Sequence, residues 1–374
     1  MNSLILLCET KICEIMTGCI DKWETSLLNS KQRANLYEIV NEKYPIIGIV
    51  SVPALGVPEK KLIFSKIKNE SKNKITYEAI NFFSTYSRTH IPVHNQEYLQ
   101  YYLDNMNKYF NCNIQYCLFL EDLENMEFYQ LRKEATVVMK KIGEYIKNNE
   151  EYQKFIGNQS SVVIPHGLVC HSNLYSEINA NKFLISIDVR SANFTTLKHF
   201  CPSVTDLTWV EFVSQFTKSK FLIQSKQFRE VIFGELGNNK INKLPLLFIA
   251  EVAKFVSENA KYNICMKKIF CSNDEIVYEV VSGTDFNISE FTKNINELKP
   301  NYFRIEMYKL VQLGKLPYFV KEHIDGKREF KNIHKKFLMQ CIKYYEQKEV
   351  IELDRKFTDE YGLIATFDCK LEFE

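Results

Sequence analysis

The chain has 374 residues, too many for one ordinary small domain, and its length predicts two or three. An apolar content of 45% and an aromatic content of 13% exclude a largely disordered chain, and only 12 glycines and 9 prolines argue against linkers and low-complexity tails. Forty-eight Lys and Arg stand against 46 Asp and Glu, a formal net charge of +2, which excludes a surface coated throughout with nucleic acid but leaves room for a local groove.

The apolar start, Leu4 to Cys8, is too short for a signal-peptide core or a membrane span, and no other uninterrupted apolar run approaches ~20 residues. No membrane partner is expected. The eleven cysteines are scattered, odd in number and free of any C-x-x-C pair, so zinc ribbons and redox dithiols have no support. They read as reduced, mostly buried thiols of a cytoplasmic type of compartment, with the nucleus left open.

No repeat is visible at periods of about 20 to 50 residues. Residues 30–42 and 95–110 read as amphipathic helices and 127–155 as a long charged helix or pair; Ile46 to Val52, Lys61 to Ile67 and Ile114 to Leu120 read as strands. The small polar segment Gly157–Ser161 is the best candidate boundary. Beyond it, Phe183–Asp188 is a buried-strand run ending in a carboxylate, and Thr208–Phe216 and Ser225–Leu236 read as helices. Pro245 opens a strongly apolar helix to Val256. Strands are expected at Ile264–Phe270 and Ile276–Val281, joined by the turn Ser272–Glu275. Asn287–Leu298 is helical, Tyr302–Val311 strand-like, Lys327–Tyr345 a basic helix and Leu363–Phe373 an alternating strand. The fold class is mixed α/β (α+β): an N-terminal α/β portion over 1–157, a second unit over 158–325, and a helix-and-strand extension over 326–374.

Asp188 at the end of a buried strand and Asp274-Glu275 at a hairpin tip are carboxylates in costly places. Two divalent cations ~4 Å apart, clamped by carboxylates from neighbouring strands, would account for them, as in enzymes that polymerise nucleotides. Between them, Lys226, Arg229 and Phe233 at i, i+3 and i+7 share a helix face that suits a triphosphate with a base above it.

These segments resemble family A DNA polymerases. Ile187-Asp-Val-Arg-Ser-Ala-Asn-Phe-Thr-Thr-Leu-Lys-His-Phe200 looks like motif A, Arg229-Glu-Val-Ile-Phe-Gly234 is similar to motif B, and Ser272-Asn-Asp-Glu-Ile-Val-Tyr-Glu-Val280 looks like motif C, in the right order. His166-Gly-Leu to Leu174-Tyr more weakly resembles the segment preceding motif A, so the resemblance covers about 160 to 315. It implies a reduced right-hand-like palm with short helical fingers. Two Mg²⁺ ions, or Mn²⁺, would be held by Asp188 and Asp274, with Glu275 auxiliary. Lys226, Arg229, Phe233 and Asn193 would contact a nucleoside triphosphate, and a DNA or RNA primer end would supply the 3′-hydroxyl.

Departures from the family accompany the matches. Arg229 stands for the motif B lysine, Ser225 for an arginine one turn earlier, Gly237 for the motif B tyrosine and Asn273 for the motif C histidine. Asn193 stands for the glutamate that blocks a ribose 2′-hydroxyl, and the stretch between motifs B and C is short. They bear on templating and sugar choice and leave the two aspartates in place; acceptance of ribonucleotides is expected from Asn193. The alternatives are a non-catalytic nucleic-acid-binding protein on a degenerate polymerase-like fold and an interaction protein on an unrelated α/β fold.

Other candidates are weaker. His166 and His171 flank Cys170 without a fourth ligand at zinc spacing, and Asp122 and Glu124 read better as a solvated helix start than as a nuclease metal site. P-loop, dinucleotide and serine-hydrolase motifs are absent. Charge is uneven locally: residues 218–243 and 327–336 each carry a net +4, two basic surfaces around an acidic centre.

Overall fold

The computed structural model describes residues 46–54, 57–65, 75–157, 168–169, 173–236, 239–359 and 362–374. The helix expected at 30–42, the boundary at 158–161, and His166, Cys170 and His171 lie outside them.

The fold is mixed α/β. A hairpin of β1 (Ile46–Ala54) and β2 (Val57–Ser65) is followed by helices α1 (Tyr77–Ser87), α2 (Gln96–Phe110), α3 (Cys112–Asn125), α4 (Phe128–Lys147) and α5 (Glu150–Gly157). Local chemistry sets their ends. Thr76 and Asn95 cap α1 and α2 by accepting from Ala79 N and Glu97 N, and Asn111, at φ 51°, closes α2 and launches α3. Next come β3 (Phe183–Val189), α6 (Ala192–Phe200), α7 (Trp209–Ser214), α8 (Lys220–Gln224), α9 (Lys226–Glu235), α10 (Asn239–Lys243), α11 (Pro245–Glu258) and α12 (Ala260–Cys265). The remainder is β4 (Met266–Cys271), β5 (Glu275–Val280), α13 (Ile288–Leu298), β6 (Phe303–Gln312), β7 (Phe319–His323), β8 (Arg328–Lys331), α14 (Leu338–Tyr345), β9 (Lys356–Thr358) and β10 (Ile364–Phe367).

Two sheets result. The larger runs β4-β5-β3-β6-β7-β8, antiparallel throughout, and the smaller runs β1-β2-β10-β9. Period-two alternation gives the larger sheet two different faces. Ile185, Ile187 and Val189 point to one, where α11 and α13 bury Leu246, Phe248, Ile249, Val252, Phe291 and Ile295 against them. Each such side chain is worth about 1.5–3 kcal/mol of burial. The other face carries Leu184, Val277, Tyr308, Leu310 and Phe319 at one end and a row of charges at the other. A separate, largely helical core joins α1–α5 to α6–α10 and α14, so residues 75–157 pack continuously with the helices that follow β3.

Three expectations need correction. Ile114–Leu120 is not a strand but the middle of α3. The residues that α3 buries, Cys112, Phe119, Asp122 and Leu123, recur at helical spacing, and Ile114, which starts the alternation, is exposed. Lys327–Tyr345 is not one basic helix: Gly326 (φ 92°) turns the chain, Arg328–Lys331 becomes the edge strand β8, Asn332 (φ 60°) ends it, and after a 3-10 turn over Lys335–Phe337 the α-helix begins at Leu338. The last strand stops at Phe367, and the rest of the tail folds back to stack Phe373 on Tyr344 with ring centroids 3.9 Å apart. Cys112, Cys201, Cys265, Cys271 and Cys341 are buried, Cys117 and Cys369 exposed. Among the described residues no helix is long and apolar enough to cross a membrane.

The tail crosses the backbone at Gly314, where Phe373 O accepts from Lys315 N at 2.7 Å. A Cβ at Gly314 would lie 1.8 Å from that oxygen, at a φ of +58° that side chains rarely adopt. Gly314→Ala should destabilise the protein by about 2–4 kcal/mol in denaturant unfolding; an unchanged midpoint would show that the tail is not seated there.

Candidate functional site

Strand β3 is hydrogen-bonded on both edges, with Asp188 opposite Glu275 on β5 and Arg304 on β6. Its buried run, Leu184–Ile187, ends at Asp188, where the side chain reaches partial exposure. The backbone then turns through Ser191 in the left-handed region (φ 47°) and enters α6 at Ala192. First-turn N–H groups of a helix have no partner in the helix, and Ala192 and Asn193 line the same cleft as Asp188.

The β4–β5 turn brings the second aspartate. Ser272 organises it: its N donates to Glu275 O at 2.8 Å, while its hydroxyl donates to Asp274 Oδ1 at 2.9 Å and accepts from Glu275 N at 3.0 Å. Val189 N donates to Asp274 O at 2.8 Å, which ties the turn to the end of β3. Asp274 is exposed into the cleft.

Helix α9 forms the opposite wall. Ser225 caps it by accepting from Phe228 N at 3.0 Å. Lys226, Arg229, Glu230 and Phe233 line the cleft from one helix face, as their spacing requires. Lys226 reaches along the cleft wall 3.9 Å from Glu230, its side chain open to solvent at one side and desolvated by the wall at the other. Arg229 lies over the Trp209 ring at 5.9 Å, and Phe233 is buried against Phe194 and Trp209. Burial, followed by the neighbouring Arg88, lowers the Lys226 pKa, and burial lowers that of Arg229. The cleft encloses about 360 Å³, enough for a nucleotide-sized ligand in part.

The structure therefore brings Asp188, Asn193, Lys226, Arg229, Phe233 and Asp274 together around one cleft. Glu275 is placed elsewhere: its carboxylate turns along the sheet, accepts from Ser186 Oγ at 2.5 Å and lies 3.7 Å from Lys321 Nζ. Asp122 is in the second half of α3, buried, accepting from Ser219 Oγ and from Phe221 N at 3.2 Å; it pins the start of α8 and is no solvated helix start. Glu124 is exposed on the same helix.

Arg304 was not singled out in the sequence. Its Nη2 donates to Asp188 Oδ2 at 2.8 Å, and its Nε lies 3.7 Å from Glu306 Oε2. The only available signal was a cation in the alternating run Phe303–Tyr308, whose meaning depends on the register that sets Arg304 across from Asp188. Burial pushes the Asp188 pKa up to about 6, opposed by Arg304 and reinforced by Asp274 and Glu275.

No protein-family model matches the chain, and no curated protein matches it.

The raised Asp188 pKa has a sign that can be checked. Between about pH 4 and about 6 the folded chain holds a proton there that the unfolded chain has already released, so this group's contribution to stability falls as pH rises through that window. Asp188→Asn should remove that slope and raise stability at pH 7 by about 1–2 kcal/mol. Chemical unfolding at pH 4 and pH 7 decides it: equal shifts at both values would mean that Asp188 is not strained by its surroundings.

Proposed function

We propose that this protein is a nucleotidyltransferase resembling family A DNA polymerases, with the larger sheet as a reduced palm and α8–α9 as short fingers. In this reading it transfers a nucleotide from a nucleoside triphosphate to the 3′-hydroxyl of a DNA or RNA primer end, forming a phosphodiester bond and releasing pyrophosphate. The observation that carries it is the convergence of residues from three sequence segments, Asp188 and Asn193, then Lys226, Arg229 and Phe233, then Asp274, on one cleft.

The donor set fits divalent cations. Two carboxylates from adjoining elements face the cleft, and burial with the like charges of Asp274 and Glu275 keeps the Asp188 pKa raised even with the Arg304 guanidinium at 2.8 Å, so a metal ion would share Asp188 with Arg304. Asp188 and Asp274 would hold Mg²⁺ ions, which would neutralise phosphate charge and favour ionisation of the attacking hydroxyl. The chain's own residues supply the rest. Arg229 and Lys226 bind phosphate oxygens, Arg229 with a planar fork steadied by Trp209. Phe233 gives that wall an apolar stretch against the sugar or base, and Asn193 faces the sugar from the start of α6.

A second reading, a nucleic-acid-binding protein without turnover, draws support from the Arg304–Asp188 ion pair, which gives Asp188 a cation of its own.

Primer extension by the purified chain with Mg²⁺ or Mn²⁺ distinguishes them. Extension is expected, falling about 10³-fold or more in Asp188→Asn and Asp274→Asn, the equivalent of several kcal/mol of charge stabilisation. Arg229→Ala should weaken triphosphate binding roughly ten- to a hundredfold. Salt-dependent nucleic-acid binding with no extension, indifferent to Asp274→Asn, selects the second reading.

A further inference from the structure

The charged row on the larger sheet continues past Asp188 to a second group of metal-ligand type. Glu306 on β6, His323 on β7 and Glu329 on β8 place one donor atom each within 4.8 Å of one another. Register puts them on one face: His323 pairs with Tyr308, two residues on from Glu306, and Glu329 pairs with Lys321, two residues before His323. None of the three lines the nucleotide cleft.

The imidazole calls for an explanation. His323 is 5% exposed, and its Nε2 has no hydrogen-bond partner; the nearest carboxylate oxygen, Glu329 Oε1, is 3.8 Å away. A buried nitrogen left in this state costs about 1–3 kcal/mol. Its backbone is well held, since His323 N donates to Lys327 O at 2.9 Å and Arg328 Nη1 donates to His323 O at 3.3 Å. The strand carrying the ring is thus held, and the ring's unused Nε2 lies 3.8 Å from Glu329 with Glu306 in the same group.

A cation already competes for those carboxylates. Lys327 Nζ contacts Glu329 Oε1 and lies 3.7 Å from Glu306 Oε1, while Lys331 lies 2.8 Å from Glu329 Oε2. An ammonium satisfies carboxylates but offers an imidazole lone pair no better than a hydrogen bond, and none is made here. The Lys327 side chain is 45% exposed and follows the turn at Gly326, so it can swing into solvent without disturbing the strands. One imidazole and two carboxylates with open positions suit a first-row transition ion better than Ca²⁺ or Mg²⁺, which prefer oxygen alone. Donor atoms around such an ion sit roughly 3.3–3.5 Å apart, so the two glutamate side chains need only draw in.

We propose that Glu306, His323 and Glu329 form a site for one divalent transition ion, Zn²⁺ by preference, which enters by displacing the Lys327 ammonium. Its three ligands are distinct from the residues that line the nucleotide cleft.

Cobalt(II) titration of the full chain, stripped with chelator, tests this. With Mg²⁺ in excess to fill the cleft, one Co²⁺ per chain should give a visible d–d absorption without the near-ultraviolet thiolate band that binding at cysteine would produce, and Zn²⁺ should abolish it. Glu306→Gln/Glu329→Gln should lose the band, and bound metal should raise the wild-type melting temperature. Lys327→Ala, which keeps all three donors, should bind Co²⁺ roughly three- to fivefold more tightly, the worth of one half-exposed ion pair. No d–d band, a band with thiolate character, or one that survives the double variant overturns the site in favour of a plain ion-pair cluster. Should the double variant fail to fold, unaltered affinity in Lys327→Ala overturns it equally.

Discussion

The position of the cleft depends on strand β3 being held from both sides. Its residues Leu184–Ile187 are buried, its edges pair with β5 and β6, and its inward face is anchored by α11 and α13. Because side chains alternate, a slip of one residue in either ladder would turn Asp188 into the apolar layer and Ile187 into the cleft. The aliphatic packing of Ile185, Ile187 and Val189 against Phe248, Ile249 and Val252 therefore sets where a carboxylate stands. The same constraint fixes Glu275 and Arg304 as its cross-strand neighbours.

The face of that sheet opposite Ile185 and Ile187 accommodates much charge in little space. Lys321 is 5% exposed, yet its ammonium has Glu275 at 3.7 Å and the Tyr308 ring at 4.4 Å. Burial lowers its pKa and Glu275 opposes that shift. Pairing of this kind lets opposite charges stand close together on that face: Glu275 with Lys321, Asp188 with Arg304, and Glu329 with Lys327 and Lys331.

Legibility in the sequence followed length and context. Long periodic segments, such as Pro245–Glu258 and Ile288–Leu298, read clearly, because an apolar stripe repeated over three turns has few alternatives. The strand ending at Asp188 and the Ser272–Glu275 turn were legible from an apolar run and turn-forming residues. Ile114–Leu120 was not, since seven residues of mixed apolar and polar type satisfy both periods and only packing against α1 and α8 selects helix. The break at Asn332, a left-handed backbone in the middle of a cation-rich run, left no mark in the charge pattern. Within the cleft, the residues expected from spacing converge, whereas Arg304 escaped notice because cross-strand register is not written in either strand alone.

Arg304 has one guanidinium and two claimants. Asp188 takes one nitrogen and Glu306 lies beside another, so the arginine spans the gap between the cleft and the Glu306–His323–Glu329 group. A ligand that draws Asp188 away leaves the guanidinium more firmly with Glu306, and one that draws Glu306 away leaves it more firmly with Asp188. Any ion or ligand that took up one of these carboxylates would shift the guanidinium's contacts at the other, and free-energy linkage would make that effect equal in both directions.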